Sequence, residues 1–385
     1  MAVQLPNQDS NTVQRLEVKT LFDKTELCGL QLKNRFIRAA TWENMANDQG
    51  HLTPKLIKLY KDLSKGGVGL IITGYARVMK DEQPMPRMMG IYDDSFVVGY
   101  KRLSEIVHRN ESKIIMQIAY GGSYTDYKVR KREIWGPSAV ANKVYGTVPK
   151  EMTKEDIKSL VNAFANATMR AKASGFDGVE YHASHGYLLS QFLTPYYNRR
   201  KDDYGGPIEN RARIIYEIYQ QSRDRVGNNF PLIIKLHCSD FMEQGFTFEE
   251  SKIVCQELAK RGIDAIEISG GNFFSSPKVS PVRKNIKSPE EESYFRHYAA
   301  EIAKLVNVPI ILVGGNKSFK VMADILSNSE IKYFSLSRCL LSEPDLINKW
   351  KIDPCTRARC MSCNKCWYDN GNICILDRDK KIKRK

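Results

Sequence analysis

Short, continuous apolar runs alternate with amphipathic stretches along most of this chain. β-Branched, Gly-bounded runs predict strands over 35–40, 68–74, 113–119, 178–182, 232–237, 265–271, 309–315 and 333–338. Between them, a spacing of three and four predicts helices over 55–65, 94–109, 153–174, 209–226, 248–261, 291–306 and 318–326. Pro54 stands at a first helical position, and Thr153 with Asp156 three residues on has the form of a capping box. The run 21–32 looks like a hairpin turning near Asp23-Lys24 and closing the bottom of the strand–helix array.

Eight strand-then-helix units with wholly apolar strands need burial on both sheet faces. The expected fold class is therefore α/β, a (β/α)8 TIM barrel, with an N-terminal hairpin and a Cys-containing C-terminal extension. The expected divisions are a polar segment 1–19, a barrel 20–352, and a Cys-rich, basic extension 353–385. The Ser/Pro/Lys-rich stretch 272–289 is a long excursion expected to form a mobile active-site loop.

Composition narrows the picture only a little. No apolar run approaches the roughly 20 residues that span a bilayer, and the start shows no secretory pattern, so a cytoplasmic protein is expected. The net charge of +15, from 59 Lys+Arg against 44 Asp+Glu, would suit an anionic partner, but Lys is scattered and the one dense run is the tail 380–385. The favoured reading is a basic surface with no nucleic-acid partner. Four of the 9 cysteines, Cys360, Cys363, Cys366 and Cys374, crowd near the end, which argues for metal or free thiols over disulfides.

In a barrel the chemistry sits beyond the carboxyl ends of the strands. Those positions hold Ala40-Thr41, Gly74, Gln117, His182 with His185 and Tyr187, Lys235, Ser269-Gly270, Gly314-Gly315-Asn316 and Ser337-Arg338. Glycines after strand seven with a basic residue after strand eight have the form of a barrel phosphate site. No Gly-x-Gly-x-x-Gly follows a strand, which argues against a Rossmann domain. His182 and His185 could be metal ligands only with a third ligand and a helical His-Glu-x-x-His pattern, which the sequence does not supply.

The blocks Leu32-Lys33-Asn34-Arg35, Gly178-Val179-Glu180-Tyr181-His182-Ala183-Ser184-His185-Gly186-Tyr187 and Asp203-Tyr204-Gly205-Gly206-Pro207, with Gln117 and Arg338, resemble the Old Yellow Enzyme family. These are NADH:flavin oxidoreductases and ene-reductases; the chain is more similar to the bacterial 2,4-dienoyl-CoA reductase-like branch. The resemblance implies FMN lying across the rim, its phosphate at Gly314, Gly315, Ser337 and Arg338. Gln117 would meet the pyrimidine edge, Lys235 the N1 and O2 side, and Ala40, Thr41, Trp42 and Gly74 would line the ring. His182 and His185 would bind the carbonyl oxygen of an α,β-unsaturated substrate. Hydride would pass from NAD(P)H through FMN N5 to the β-carbon, with Tyr187 protonating the α-carbon.

The chain departs from that family's pattern at several places. Lys235 stands where Arg is usual, Trp42 where a small polar residue is usual, Asn44 where many relatives have Tyr, and Ser337 where Gly is common. The cysteine spacing has x2 where the iron–sulfur segment of that branch has x3, so free thiols are favoured over a cluster or zinc at Cys360, Cys363, Cys366 and Cys374. The alternatives are an RNA-modifying flavin barrel of the dihydrouridine synthase type and a flavin-binding protein without turnover. The expected partner is a small unsaturated molecule; oligomeric state is left open, with no membrane association.

Overall fold

The computed structural model describes residues 19–369 and 371–382; the polar segment 1–18 and the end of the basic tail lie outside the described residues. Eight strands close a ring. In chain order they are Phe36–Arg38, Leu70–Ile72, Lys113–Ala119, Val179–Ala183, Leu232–His237, Ala265–Ser269, Ile310–Val313 and Tyr333–Leu336. Each pairs in parallel with the next, the eighth pairs with the first, and the fourth closes on the third. This is the (β/α)8 barrel, and no helix among the described residues is long and apolar enough to cross a membrane.

Side-chain alternation fills the cylinder from the bottom. Ile37, Leu70, Ile115, Ile233, Ile311 and Tyr333 point inward and pack against Leu27 and Leu32 of the hairpin, which plugs the base. The other strand face meets the helices in a separate, larger core containing Phe36, Ile71, Ile234 and Leu312. Local signals set the helix starts. Thr53 Oγ1 accepts from Leu56 N ahead of Pro54–Lys65, and Thr153 with Asp156 forms the complete capping box ahead of Lys154–Ala173.

Several expected boundaries are corrected. The hairpin turns at Cys28-Gly29, whose φ values of 55° and 79° suit a two-residue turn; Asp23 instead binds the backbone N–H of Thr20. The helix expected from 291 begins at Arg296, because Pro289–Glu291 forms a separate 3-10 turn and Ser293 takes a φ of 50°. The helix expected over 209–226 breaks at Ala212 into Ile208–Arg211 and Arg213–Val226. Arg338 lies beyond the eighth strand as the first residue of the short helix Arg338–Ser342, since the Ser337 carbonyl leaves the ladder to accept from Arg38 Nη1.

The chain then returns across the top of the barrel. After the helix Leu346–Ile352, residues 353–369 and 371–374 run back over the rim: Asn372 Nδ2 donates to the Trp42 carbonyl at 2.6 Å, Asn44 Nδ2 to the Tyr368 carbonyl at 2.9 Å, and Arg87 Nη1 to the Asp369 carbonyl at 2.8 Å.

Candidate active site

The turn after the fourth strand is held before any ligand enters. His185 and Gly186 take φ values of 62° and 84°. Gly186 N donates to Ser190 Oγ at 3.0 Å and Gln191 Nε2 donates to the Gly186 carbonyl at 2.6 Å. The helix Leu188–Leu193, buried throughout, thus anchors the turn and aims His182, His185 and Tyr187 at one point. Ring centroids of His182 and Tyr187 lie 4.6 Å apart, those of His182 and His185 5.2 Å.

All three line an elongated cleft above the barrel. Ala40, Thr41 and Trp42 form one wall; Gln117 and Lys235 join them from below. Gly314, Ser337 and Arg338 line both this cleft and an adjoining pocket, which Gly315, Lys317 and Ser335 complete. Gly74 lines neither: its N–H donates to the Tyr60 hydroxyl at 2.9 Å, and a Cβ there would lie 2.5 Å from the Thr41 carbonyl oxygen. Its part is to let the second strand approach the Thr41 loop. Thr41 Oγ1 and Ser337 Oγ meet at 2.8 Å.

Burial sets the charge state of the converging groups. It holds both His182 and His185 well below the ordinary histidine value, reinforced by Lys235 and His237 at His182 and by His182 and Lys235 at His185. Both imidazoles are neutral, each with one donor and one acceptor nitrogen. His185 Nε2 lies 2.7 Å from Ser269 Oγ, whereas buried His182 Nδ1 has no hydrogen-bond partner. Burial, then the neighbouring Tyr75, pushes Tyr187 well above the ordinary tyrosine value, so its phenol keeps its proton.

Other contributors escaped the sequence reading. Tyr75, Tyr124 and Phe273 add an aromatic wall, and Asn364, Trp367 and Asn372 enter from the C-terminal extension beside the expected Cys366. Beside Gln117 and Lys235 on the neighbouring strands stand Glu180 and Glu267, fully buried carboxyls inside apolar strands. A carboxylate in such a strand was the available signal for both; the cysteine spacing marked the extension, but nothing local marked Trp367 or Asn372 as cleft residues. The cysteines Cys360, Cys363, Cys366 and Cys374 are all free thiols. Cys366 lines the cleft and Cys360 the adjoining pocket, while Cys374 accepts from Ser342 Oγ at 3.3 Å. Among the described residues no group of three or more His, Cys, Asp or Glu is arranged to hold a metal ion.

Residues 20–353 match the family described as NADH:flavin oxidoreductase / NADH oxidase. The chain belongs to that family. It is 32% identical over 347 residues to an NADH oxidase of Thermoanaerobacter brockii, covering 89% of this chain and 52% of the relative. It is 29% identical to a cinnamate reductase of Clostridium sporogenes, covering 91% and 55%. A solved 2-naphthoyl-CoA reductase in complex with 2-naphthoyl-CoA superposes with a TM-score of 0.83 at 26% identity, over 90% of this chain and 54% of that one. The chain thus spans about half the length of these relatives.

The residues present fit FMN. A largely apolar cleft adjoins a pocket where Gly314 and Gly315 take φ values of 112° and 77° and where any Cβ would meet the Tyr294 ring at 2.7 and 2.6 Å. Arg338 and Lys317 bring positive charge to that pocket, and the buried Ser335 Oγ there has no partner. A planar heterocycle carrying a phosphate matches both ends.

Proposed function

We propose that this protein reduces a C=C bond conjugated to a carbonyl, using NAD(P)H as reductant. A bound FMN would supply the hydride-transfer chemistry that links the nicotinamide to the β-carbon. Gly314, Gly315, Ser337 and Arg338 would hold the phosphate, Ala40, Thr41 and Trp42 one side of the ring, and Gln117 and Lys235 its polar edge.

The chain's own chemistry is done at two atoms of the substrate. The neutral imidazoles of His182 and His185 donate to the carbonyl oxygen, where negative charge builds as the β-carbon is reduced; fixed donors in a buried site stabilise that charge without reorganising. Tyr187, holding its proton, delivers it to the α-carbon. Among the described residues no carboxylate lines the cleft, so a cationic amine would find no counter-charge from them there. The relatives named for cinnamate and 2-naphthoyl-CoA reduction act on conjugated acyl compounds, which supports the same substrate class.

The observation that carries this reading is the convergence of His182, His185 and Tyr187 within 5.2 Å ring spacings on a slot that ends in an anion pocket. The test is to purify the protein, identify released flavin, and follow NADH and NADPH oxidation with cyclohexenone, a nitroalkene and an enoyl-CoA. Bound FMN with saturated product from at least one alkene is the expected result. A protein that takes up no FMN, or takes it up and reduces none of the three, overturns the proposal.

A further inference from the structure

At the floor of the cleft, Gln117 and Lys235 each stand beside a buried carboxyl of the barrel interior. Strand register sets Glu180 beside Gln117 and Lys235 beside Glu267. Lys235 Nζ lies 2.6 Å from Glu267 Oε2, and Gln117 Nε2 donates to Glu180 Oε2 at 2.5 Å. None of the four side chains reaches solvent to any useful degree, and Glu180 Oε1 and Glu267 Oε1 have no hydrogen-bond partner.

Two carboxyls and one ammonium in such a place cannot all be ionised without leaving an unpaired buried charge. Burial, then the proximity of Glu267, pushes Glu180 well above the ordinary carboxyl value, only partly opposed by Lys235 and Gln117. Burial also opposes the charge on Lys235, but Glu267 and Glu180 more than offset it, so the lysine stays protonated. The other charged and titratable groups facing these four side chains do not alter the count. Arg38, on the first strand, is paired with Glu43 at 3.0 Å; His182 and His237, further up the fourth and fifth strands, are held below the ordinary histidine value by burial.

We propose that Glu267 and Glu180 are positioning residues, Glu267 pairing with Lys235 and Glu180 accepting from Gln117, so that the floor meets the flavin with a fixed ammonium donor but no net charge. Their effect runs through Lys235 and Gln117, the two of these four that also line the cleft. A lysine without this compensation would favour the reduced, more negative flavin and raise its reduction potential.

The inference rests on the flavin placement proposed above, and the experiment separates the two. Reduction potentials of FMN-loaded wild type, the E180Q/E267Q double variant and the K235Q/E180Q/E267Q triple variant are compared at neutral pH by dye equilibration. The double variant, left with an uncompensated lysine, is expected to shift the reduction equilibrium at least tenfold toward reduced flavin, about 30 mV for a two-electron couple. The triple variant, neutral again, is expected within tenfold of wild type. A double variant inside that limit, or a triple variant outside it, overturns the proposal; where the double variant fails to fold, the triple variant alone decides. Wild-type protein that binds no FMN overturns the flavin placement instead.

Discussion

Trp42, just after the first barrel strand, and Trp367, in the C-terminal extension, meet with ring centroids 5.3 Å apart and planes inclined at 50°. Asn372, from the same segment, holds both the Trp42 carbonyl and the Glu43 carbonyl. The extension is therefore one wall of the cleft, and Trp367 is its half-exposed edge.

Removing that edge should loosen substrate binding more than it harms the fold. An aromatic pair contributes only about 0.5–1.5 kcal/mol beyond its buried area. Trp367→Ala is expected to raise KM for the alkene several-fold, with FMN retained and a small fall in Tm. Steady-state kinetics and thermal melts check this; an unchanged KM would remove Trp367 from the substrate wall.

Tyr187→Phe keeps the ring that packs on His182 and removes the proton. Positioned acid–base groups contribute roughly 10²–10⁴-fold. Alkene reduction in the half-reaction should slow by that order, and flavin reduction by NADH or NADPH should slow much less. Stopped-flow measurement of the two half-reactions separates them, and equal effects on both would exclude the donor role.

Arg338 brings its guanidinium to the pocket with Gly314 and Gly315 while donating to the Arg283 carbonyl at 2.8 Å. Hydrogen bonds to charged groups are worth about 1.5–3 kcal/mol. Arg338→Met is expected to weaken FMN binding by roughly ten- to a hundredfold, read by fluorescence titration of the apoprotein. Riboflavin, lacking the phosphate, should bind both proteins about equally.

Acid should destabilise the protein through its buried histidines. His182, His185 and His237 all lie below the ordinary value of 6.5, burial being the main cause. Between those lowered values and 6.5 the unfolded chain binds more protons than the folded one, so stability rises with pH across that window and is lost as pH falls through it. Above the window the three imidazoles add no slope. Denaturant unfolding at stepped pH should show the acid-side slope shrinking by up to about 1.4 kcal/mol per pH unit for each imidazole removed in the His182→Asn/His185→Asn variant. An identical slope in that variant would assign the effect to other groups.

Most of the barrel was legible locally. Lys113–Ala119, Leu232–His237 and Phe248–Arg261 fall where the periodicity puts them, because an apolar strand buried on both faces and a capped helix each carry their signal in consecutive residues. The His182–Tyr187 block was legible for the same reason. Gly74 was misplaced because strand-end position does not say which way a glycine faces; the Thr41 carbonyl above it decides that.

Consecutive residues were thus enough to set the order of strands and helices and to point to the rim where His182, His185 and Tyr187 line one cleft. Only in the folded chain is it settled that Glu180 faces Gln117, that Lys235 pairs with Glu267, and that Trp367 and Asn372 wall the cleft. Periodicity and capping act over a few residues, whereas register between strands and the return of the chain's end over the rim depend on how distant surfaces bury one another.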